Sequence, residues 1–294
     1  MTSIVGHDKV KQKLDKIIST NSISHAYLFS GKEGIGKKTL AVKFAKSAMC
    51  NNVEKFAYCG NCESCLTFES GNDFKIIAPT KNVIKVDEIR EFCSELFLKP
   101  TKASRKVFII DDAECMNEQA QNALLKVLEE PPLYATIILV TSNKEKLLNT
   151  IKSRVVEVNF DSLSADEIKK ILELNDVEYN EDAIKYSNGS YKKALDFIND
   201  DMFEIAKEVA KLLESKDFLA TNRKFEEIKA DKNLKSNIII ILEKTMQIFF
   251  MKLKNEKSFE YKNIEKLEET IQKIKRNANV DLALDSLMVE LCKI

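Results

Sequence analysis

The sequence lacks an excess of charge of either sign, since 46 Lys and Arg residues balance 46 Asp and Glu residues. A protein that binds nucleic acid by itself usually gains affinity from basic residues that release counterions from the phosphates. Zero net charge therefore argues against a protein that binds nucleic acid by itself. It does not exclude a basic patch on one face. The balance fits a subunit of a larger assembly equally well.

The sequence also shows no signal-peptide or membrane-spanning pattern, so we expect neither kind of segment. The first ten residues have no apolar core of the kind found in signal peptides. The most apolar stretch, 237–253, is interrupted by Glu243 and Lys244 and is too short to cross a bilayer, so we expect a buried helix there. Seven cysteines without a secretion signal indicate a reducing compartment, where clustered thiols bind metal more often than they form disulfides.

The 294 residues exceed the usual size of one hydrophobic core, so we expect two or three domains. Up to about residue 160, short apolar runs alternate with helical patterns, which is typical of a parallel sheet covered by helices. The predicted strands are 26–29, 106–111, 136–141 and 155–160. Beyond 161 the pattern is helical only, beginning with a capping box at Ser164 and Glu167.

A glycine-rich loop, "SGKEGIGKKT", follows the first predicted strand and precedes a predicted helix. In a phosphate-binding loop, backbone N–H groups cradle the phosphates, a lysine reaches the terminal phosphates, and the next Ser or Thr holds Mg²⁺. Lys37 keeps its position here, but Lys38 replaces the hydroxyl residue and Thr39 comes one position late. Such a loop either holds a nucleotide without hydrolysing it or holds none.

The strand predicted at 106–111 ends in two carboxylates, where Asp111 is expected to meet the Mg²⁺ of a bound nucleotide. Hydrolysing proteins with such loops often follow this aspartate with a glutamate that orients water, and Asp112 is one methylene shorter. The alternative is a plain glycine turn beside an incidental acidic strand end. The candidate nucleotide residues are Gly31, Gly34, Gly36, Lys37, Lys38, Thr39, Asp111 and Asp112.

Four cysteines follow the helix after the loop with the spacing C-x8-C-x2-C-x2-C: Cys50, Cys59, Cys62 and Cys65. Four thiolates suit tetrahedral Zn²⁺, and we expect Gly60 and Ser64 to provide the tight turns between ligands. No histidine lies near, and a catalytic zinc would need an open position, so the predicted site is structural. The alternative is a set of reduced, unligated thiols.

Arg154 stands just before the last predicted strand. A lone arginine usually pairs with a surface carboxylate. In oligomeric ATPases, an arginine at such an edge instead reaches the nucleotide of a neighbouring subunit. The residues alone leave both interpretations open.

Five segments carry a family resemblance, in this order: "SHAYLFSGKEGIGKKT", the four-cysteine insertion, "VFIIDDAECMNEQAQNALLKVLEEPP", "IILVTSN" and "IKSRV". Together they closely resemble the clamp-loader subunits of bacterial DNA polymerase III. The resemblance implies an AAA+ α/β domain over 1–160 with a zinc module at 50–65. It also implies a helical lid domain over 161–200 and an all-helical collar domain, for oligomerisation, over 201–294. The segment 189–197 is similar to the one that carries a nucleotide-sensing arginine in motor subunits, and lysines occupy it here.

The degenerate loop is similar to that of the delta-prime class of these subunits. This resemblance implies a cytoplasmic component of the polymerase holoenzyme that helps load the sliding clamp onto primed DNA, beside motor (gamma/tau) and delta subunits. It implies structural Zn²⁺ on the four cysteines, a trans-acting Arg154 and doubtful binding of ATP and Mg²⁺. We expect no polymerase activity, because no acidic palm constellation is recognisable. Val155 stands where the family has cysteine.

Two other functions stay open from the sequence. One is an ATP-hydrolysing motor-type subunit, or another AAA+ ATPase, in which Thr39 or water holds the metal. The other is a zinc-stabilised scaffold protein without a role in replication.

Overall fold

The structure, a computed structural model, describes residues 4–54, 56–232, 237–255 and 261–292. The chain divides into two compact units, Met1–Ala194 and Leu195–Ile294. The first unit is built around a β-sheet, and the described part of the second is helical.

The sheet of the first unit has five strands in the order β2-β3-β4-β1-β5, and every neighbouring pair is parallel. Its strands are β1 (Ala26–Ser30), β2 (Phe74–Ile77), β3 (Lys106–Ile110), β4 (Ala135–Thr141) and β5 (Val156–Asn159). The predicted parallel α/β sheet is therefore confirmed, together with the four strands that the sequence indicated. The sequence did not indicate β2, which is four residues long and only half buried.

The helices of the first unit are α1 (Asp8–Ser19), α2 (Lys37–Met49), α3 (Glu63–Leu66), α4 (Val86–Leu96), α5 (Glu118–Glu129), α6 (Asn149–Lys152), α7 (Ala165–Leu174), α8 (Glu181–Tyr186) and α9 (Tyr191–Ile198), the last of which runs into the second unit. Asn117 caps α5 by accepting the Ala120 N–H at 2.8 Å, and the helix ends before the prolines at 131 and 132. The capping box of α7 is confirmed, since Ser164 and Glu167 each accept the other's backbone N–H.

The core of the first unit lies on both faces of the sheet. The central strands β1, β3 and β4 are buried along their whole length. On one face, Leu28 and Phe108 pack in one apolar cluster with Phe92 of α4 and Leu124 of α5. Such burial stabilises by about 1.5–3 kcal/mol per large side chain. The rigid sheet fixes the positions of the loops that follow its strand ends.

The described helices of the second unit are α10 (Asp201–Ser215), α11 (Phe218–Ala230), α12 (Ile238–Asn255), α13 (Tyr261–Lys275) and α14 (Val280–Cys292). The apolar stretch 237–253 forms most of α12, with Ile241, Leu242 and Phe249 fully buried, so the predicted buried helix is confirmed. Among the described helices, none combines the length and the apolar character that a bilayer crossing requires.

Candidate functional site

The glycine loop joins β1 to α2, as the sequence predicted. Gly34 and Gly36 have φ angles of +73° and +96°, in the left-handed region that favours glycine. The loop backbone is anchored to the sheet, because the N–H of Gly31 donates to the Thr141 carbonyl of β4 at 3.3 Å. The loop therefore lies at the carboxyl edge of the parallel strands, where open α/β sheets bind ligands.

Lys37 is the first residue of α2, and its side chain turns back over the loop. Its Nζ donates to the carbonyl oxygens of Gly31 at 2.7 Å and Lys32 at 2.5 Å, and the residue is 7% exposed. Burial lowers the pKa of this ammonium, and nearby carboxylates, led by Glu114, act in the opposite direction. A phosphate bound in the loop would exchange with these two carbonyl contacts.

Lys38 lies beside the carboxylate at the end of β3. Its Nζ is 2.9 Å from Oδ2 of Asp111, whose side chain is 14% exposed. Mg²⁺ requires oxygen ligands in near-octahedral geometry, and this position offers an ammonium donor in place of a hydroxyl oxygen. Thr39 is the third residue of α2 and lines the neighbouring cavity. The residues present therefore do not fit a Mg²⁺ ion between this loop and Asp111.

Asp112 continues the acidic end of β3. It has a φ of 46°, so the chain turns sharply here into the short helical turn at 113–115. Burial raises the pKa of this carboxyl, and the charge of Asp111 raises it further. Asp112 thus lies near the loop lysine but in an environment that disfavours its negative charge.

Sequence reasoning missed a contact between the ends of β3 and β4. Oε1 of Glu114 accepts the backbone N–H of Ser142 at 2.9 Å and also the Ser142 hydroxyl. Both residues follow neighbouring parallel strands, so their meeting at one sheet edge was inferable from the strand assignment. The contact fixes the acidic segment against the loop that follows β4.

A cavity of about 510 Å³ adjoins the first turn of α2. Its lining is mainly apolar and comes from the N-terminal segment, the glycine loop and the helical segment after the sheet: Ile4, Val5, Ile35, Gly36, Thr39, Leu163, Ile171, Leu174, Asn175 and Tyr191. Sequence analysis did not find it, because segments more than 150 positions apart, such as those at Ile4 and Tyr191, form its walls.

The lysine segment after α8 contacts the glycine loop. The N–H of Lys192 donates to the Gly34 carbonyl at 3.2 Å, and the Lys192 ammonium pairs with Glu33 at 2.6 Å. A Cβ on Gly34 would lie 2.4 Å from Cβ of Lys192 and 2.5 Å from Oγ of Ser190. Close packing therefore demands glycine at this position, in addition to the positive φ.

The four predicted zinc ligands come together in the structure. The sulfurs of Cys50, Cys59, Cys62 and Cys65 all lie within 4.8 Å of one another, and the pairs Cys50–Cys62 and Cys59–Cys65 are 3.9 Å apart. Tetrahedral zinc with Zn–S bonds of about 2.3 Å separates its sulfurs by about 3.8 Å, so the geometry fits. This cluster could hold a metal ion.

Local backbone contacts preorganise this cluster. The N–H of Cys59 donates to Sγ of Cys50 at 3.3 Å, and the N–H of Cys62 donates to Sγ of Cys59 at 3.4 Å. Gly60 has a φ of +76°, which fits its expected turn. Ser64 differs from the expectation of a tight turn: it lies in α3, is buried, and donates to the Met49 carbonyl at 2.7 Å, which ties the module to α2.

Arg154 lies between α6 and β5. Nη2 of its guanidinium is 2.9 Å from Oε1 of Glu129, and Nη1 donates to the Thr150 carbonyl at 2.9 Å. The side chain remains 35% exposed, along an open cleft that Ser24 and His25 also line. The guanidinium therefore combines an intrachain ion pair with access to solvent.

Arg154 and the glycine loop lie at opposite ends of the sheet. β5 is an edge strand parallel to β1, with Tyr27 beside Val156 and Ser30 beside Asn159. The loop follows the carboxyl end of β1, whereas Arg154 precedes the amino end of β5. Four strand residues at roughly 3.3 Å each separate the two ends. Arg154 thus lies at the end of the sheet opposite to the loop of its own chain.

A model of the family described as DNA polymerase III, delta subunit, matches residues 6–164, which is more than half of the 294 residues. The chain is 35% identical over 205 residues to DNA polymerase III subunit gamma of Buchnera aphidicola subsp. Schizaphis graminum, covering 66% of this chain and 56% of that protein. It is 31% identical over 207 residues to subunit tau of Bacillus subtilis, covering 67% of this chain and 36% of that protein. The chain thus spans about half or less of these relatives.

The fold is similar to that of a DNA polymerase III gamma subunit-related protein from Thermotoga maritima. The TM-score is 0.52 at 21% identity, and the match covers 96% of this chain and 99% of that one. At this identity, the likeness speaks to the fold alone. The family model covers the glycine loop, the four cysteines and Arg154, and the chain belongs to the family described as DNA polymerase III, delta subunit.

Proposed function

We propose that the chain is a delta-prime-type clamp-loader subunit, which does not hydrolyse ATP itself and supports the activity of its partners. In this role it helps motor (gamma/tau) and delta subunits place the sliding clamp on primed DNA in the bacterial cytoplasm. The observation that carries the proposal is the ion pair between Lys38 and Asp111, at 2.9 Å. It occupies the position at which hydrolysing relatives of such loops hold Mg²⁺.

The missing metal ligand bears directly on catalysis. In phosphate-loop NTPases, Mg²⁺ bridges the β- and γ-phosphates and neutralises the charge that develops during transfer. Here Thr39 lines the cavity beside α2, and Asp111 is paired with the Lys38 ammonium. We expect weak or no binding of Mg²⁺-ATP and no appreciable hydrolysis by this chain.

Arg154 supplies the second half of the proposal. Its position at the amino edge of the sheet, away from its own loop, supports a role in trans at the nucleotide of a motor subunit. There the guanidinium would exchange Glu129 for phosphate oxygens and stabilise the transition-state charge. This role needs no nucleotide in the chain's own loop.

The remaining parts of the chain are proposed to support assembly. Residues 50–65 hold one structural Zn²⁺ on four thiolates, residues 161–200 act as the lid, and residues 201–294 form the collar through which subunits associate. The close sulfur cluster and the helical second unit support these assignments.

ATP turnover by the purified chain, with Mg²⁺ present, tests the proposal. We expect no turnover above that of the Lys37→Ala variant. Turnover that Lys37→Ala abolishes would favour the motor-type ATPase. Co-purification with gamma/tau and delta subunits separates both loader roles from a zinc-stabilised scaffold, which would bind neither.

A further inference from the structure

The segment that leads into β1 contacts Arg154 through an imidazole. Nε2 of His25 lies 3.1 Å from the backbone carbonyl oxygen of Arg154. A carbonyl oxygen only accepts hydrogen bonds, so Nε2 carries the proton that this contact uses. His25 is half buried and lines the same open cleft as Arg154. The two residues are 129 positions apart, so tertiary structure brings them together.

Strand β4 fixes the backbone from which the His25 side chain extends. The N–H of Ile137 donates to the His25 carbonyl at 2.8 Å, and the Thr136 hydroxyl donates to the Ser24 carbonyl at 3.1 Å. Thr136 is fully buried, and its hydroxyl also accepts a hydrogen bond from the Arg105 guanidinium at 3.1 Å. The backbone at His25 is therefore attached to a central strand of the sheet.

The chain holds Arg154 by both its backbone and its side chain. The Arg154 N–H donates to the Ile151 carbonyl at 2.9 Å, and the guanidinium donates to the Thr150 carbonyl at 2.9 Å. Ile151 and Thr150 both belong to α6, and Glu129, the other guanidinium partner, ends α5. His25 thus differs from these partners, because it connects Arg154 to the amino end of β1 and so to the sheet.

We propose that His25 is a positioning residue for Arg154: its imidazole fixes the Arg154 backbone, from which the guanidinium reaches the nucleotide of a partner subunit. The inference rests on the proposed function, in which Arg154 acts in trans. Such a group must lie within about 0.5 Å of its productive position, and a misplacement of about 1 Å can lower a rate about a hundredfold. His25 acts through Arg154 and needs no contact with the nucleotide.

ATP hydrolysis by a loader reconstituted with variants of this chain tests the proposal. His25→Phe keeps an aromatic ring and removes the donor, whereas His25→Gln carries a donor at the same number of bonds from Cβ. We expect His25→Phe to lower kcat at the served site by about tenfold, with KM for ATP unchanged. The loader then loses about nine tenths of the rate that Arg154→Ala removes. His25→Gln should recover most of this loss.

Lys13→Ala is the matched control. The Lys13 ammonium also donates to a backbone carbonyl near the edge of the sheet, that of Glu157 in β5, at 3.0 Å. Its loss should leave the hydrolysis rate unchanged, because this contact does not involve Arg154.

His25→Phe in the Arg154→Ala background separates positioning from a general structural role. If His25 acts only through Arg154, the double variant should have the same rate as Arg154→Ala alone. Melting temperatures and gel filtration of the loader show that each variant folds and assembles. If His25→Phe does not fold, His25→Asn replaces it, because its amide donor is one bond too short for the contact.

Three results would overturn the inference: a wild-type rate for His25→Phe while Arg154→Ala lowers the rate, a further loss in the double variant, or failed assembly with both His25→Phe and His25→Asn. A wild-type rate for Arg154→Ala would instead overturn the proposed role in trans, and this inference with it. The Arg154→Ala rate thus tells the two failures apart.

Discussion

The guanidinium of Arg154 is held by the carboxylate of Glu129 on the same chain, with Nη2 2.9 Å from Oε1. Glu129 is the last residue of α5, and its side chain is 51% exposed. An ion pair this exposed contributes about 0–1 kcal/mol to stability. An ion pair this weak would let a phosphate take the place of the carboxylate, as the proposed role of Arg154 in trans requires.

Glu129→Gln tests whether this carboxylate competes with a phosphate for Arg154. The unfolding free energy should change by less than about 1 kcal/mol, because the pair is exposed. In a reconstituted loader, ATP hydrolysis should stay at the wild-type rate or rise, since the guanidinium no longer exchanges one anion for another. A fall as large as that of Arg154→Ala would instead mean that Glu129 orients the arginine.

Cys59→Ser tests the metal centre. Because four thiolates complete a closed tetrahedral shell, the wild type should contain about one Zn²⁺, and losing one ligand should lower both the zinc content and the melting temperature. Cys93→Ser, in α4 and outside the cluster, is the control and should keep its zinc. Atomic emission spectrometry measures the metal, and full zinc occupancy in Cys59→Ser would contradict the ligand assignment.

Asp73 makes stability depend on pH. Its carboxylate accepts the backbone N–H groups of Thr101 at 2.8 Å, Lys102 at 2.7 Å and Ala103 at 3.0 Å. Burial raises the pKa of this carboxyl, but the N–H donors outweigh burial, and its pKa lies below the ordinary value of 3.8. The stabilisation is thus complete above the unfolded-state pKa and is lost as the pH falls through the lower folded-state pKa.

Asp73→Asn should accordingly lower the unfolding free energy by about 2 kcal/mol at pH 7, since hydrogen bonds to a charged group are lost. The difference from the wild type should shrink as the pH drops below about 4. Urea denaturation over this pH range measures it, with the exposed Asp87→Asn as a control. A constant difference at all pH values would show that the charge is not the cause.

Gly34→Ala tests the packing of the glycine loop against the lysine segment. The new Cβ would lie 2.4 Å from Cβ of Lys192, in addition to the strain of a φ of +73°. Gly36→Ala is the matched control, because its φ of +96° is also positive but no atom lies within 4 Å of the added Cβ. In urea denaturation, we expect Gly34→Ala to lower the free energy of unfolding by about 1–3 kcal/mol more than Gly36→Ala does. Equal losses of unfolding free energy would mean that backbone strain alone, without the steric clash, causes the destabilisation.

The sequence predicted the features that local patterns encode. The apolar runs of β1, β3 and β4 are bounded by glycine, carboxylates or proline, and the spacing of Cys50 and the three later cysteines is itself the signature of a metal site. The identity of Lys38, at the position of the metal-binding hydroxyl, was likewise visible in the chain. Its pairing with Asp111 required the structure, because the two residues are 73 positions apart.

The features that the sequence missed depend on contacts between distant segments. β2 is short and half buried, so its apolar pattern is weak, and only pairing with β3 defines it. The cavity beside Thr39 exists only because the segment at Ile4 and the helical segment at Tyr191 meet the glycine loop. Tertiary packing decides such features, and a periodicity in one segment does not encode them.

The central claim is that this chain acts through Arg154 at a partner's nucleotide and does not hydrolyse ATP in its own glycine loop. ATP hydrolysis by a reconstituted loader, stimulated by clamp and primed DNA, tests this claim most directly when the variants Arg154→Ala and Lys37→Ala of this chain are compared. The claim predicts a lower rate for Arg154→Ala. Losing a trans-acting arginine costs on the order of a thousandfold at the site it serves, and less in total because other sites keep their own arginines. It predicts the wild-type rate for Lys37→Ala, since this chain's loop takes no part in turnover. A wild-type rate for Arg154→Ala together with a loss for Lys37→Ala would contradict the claim.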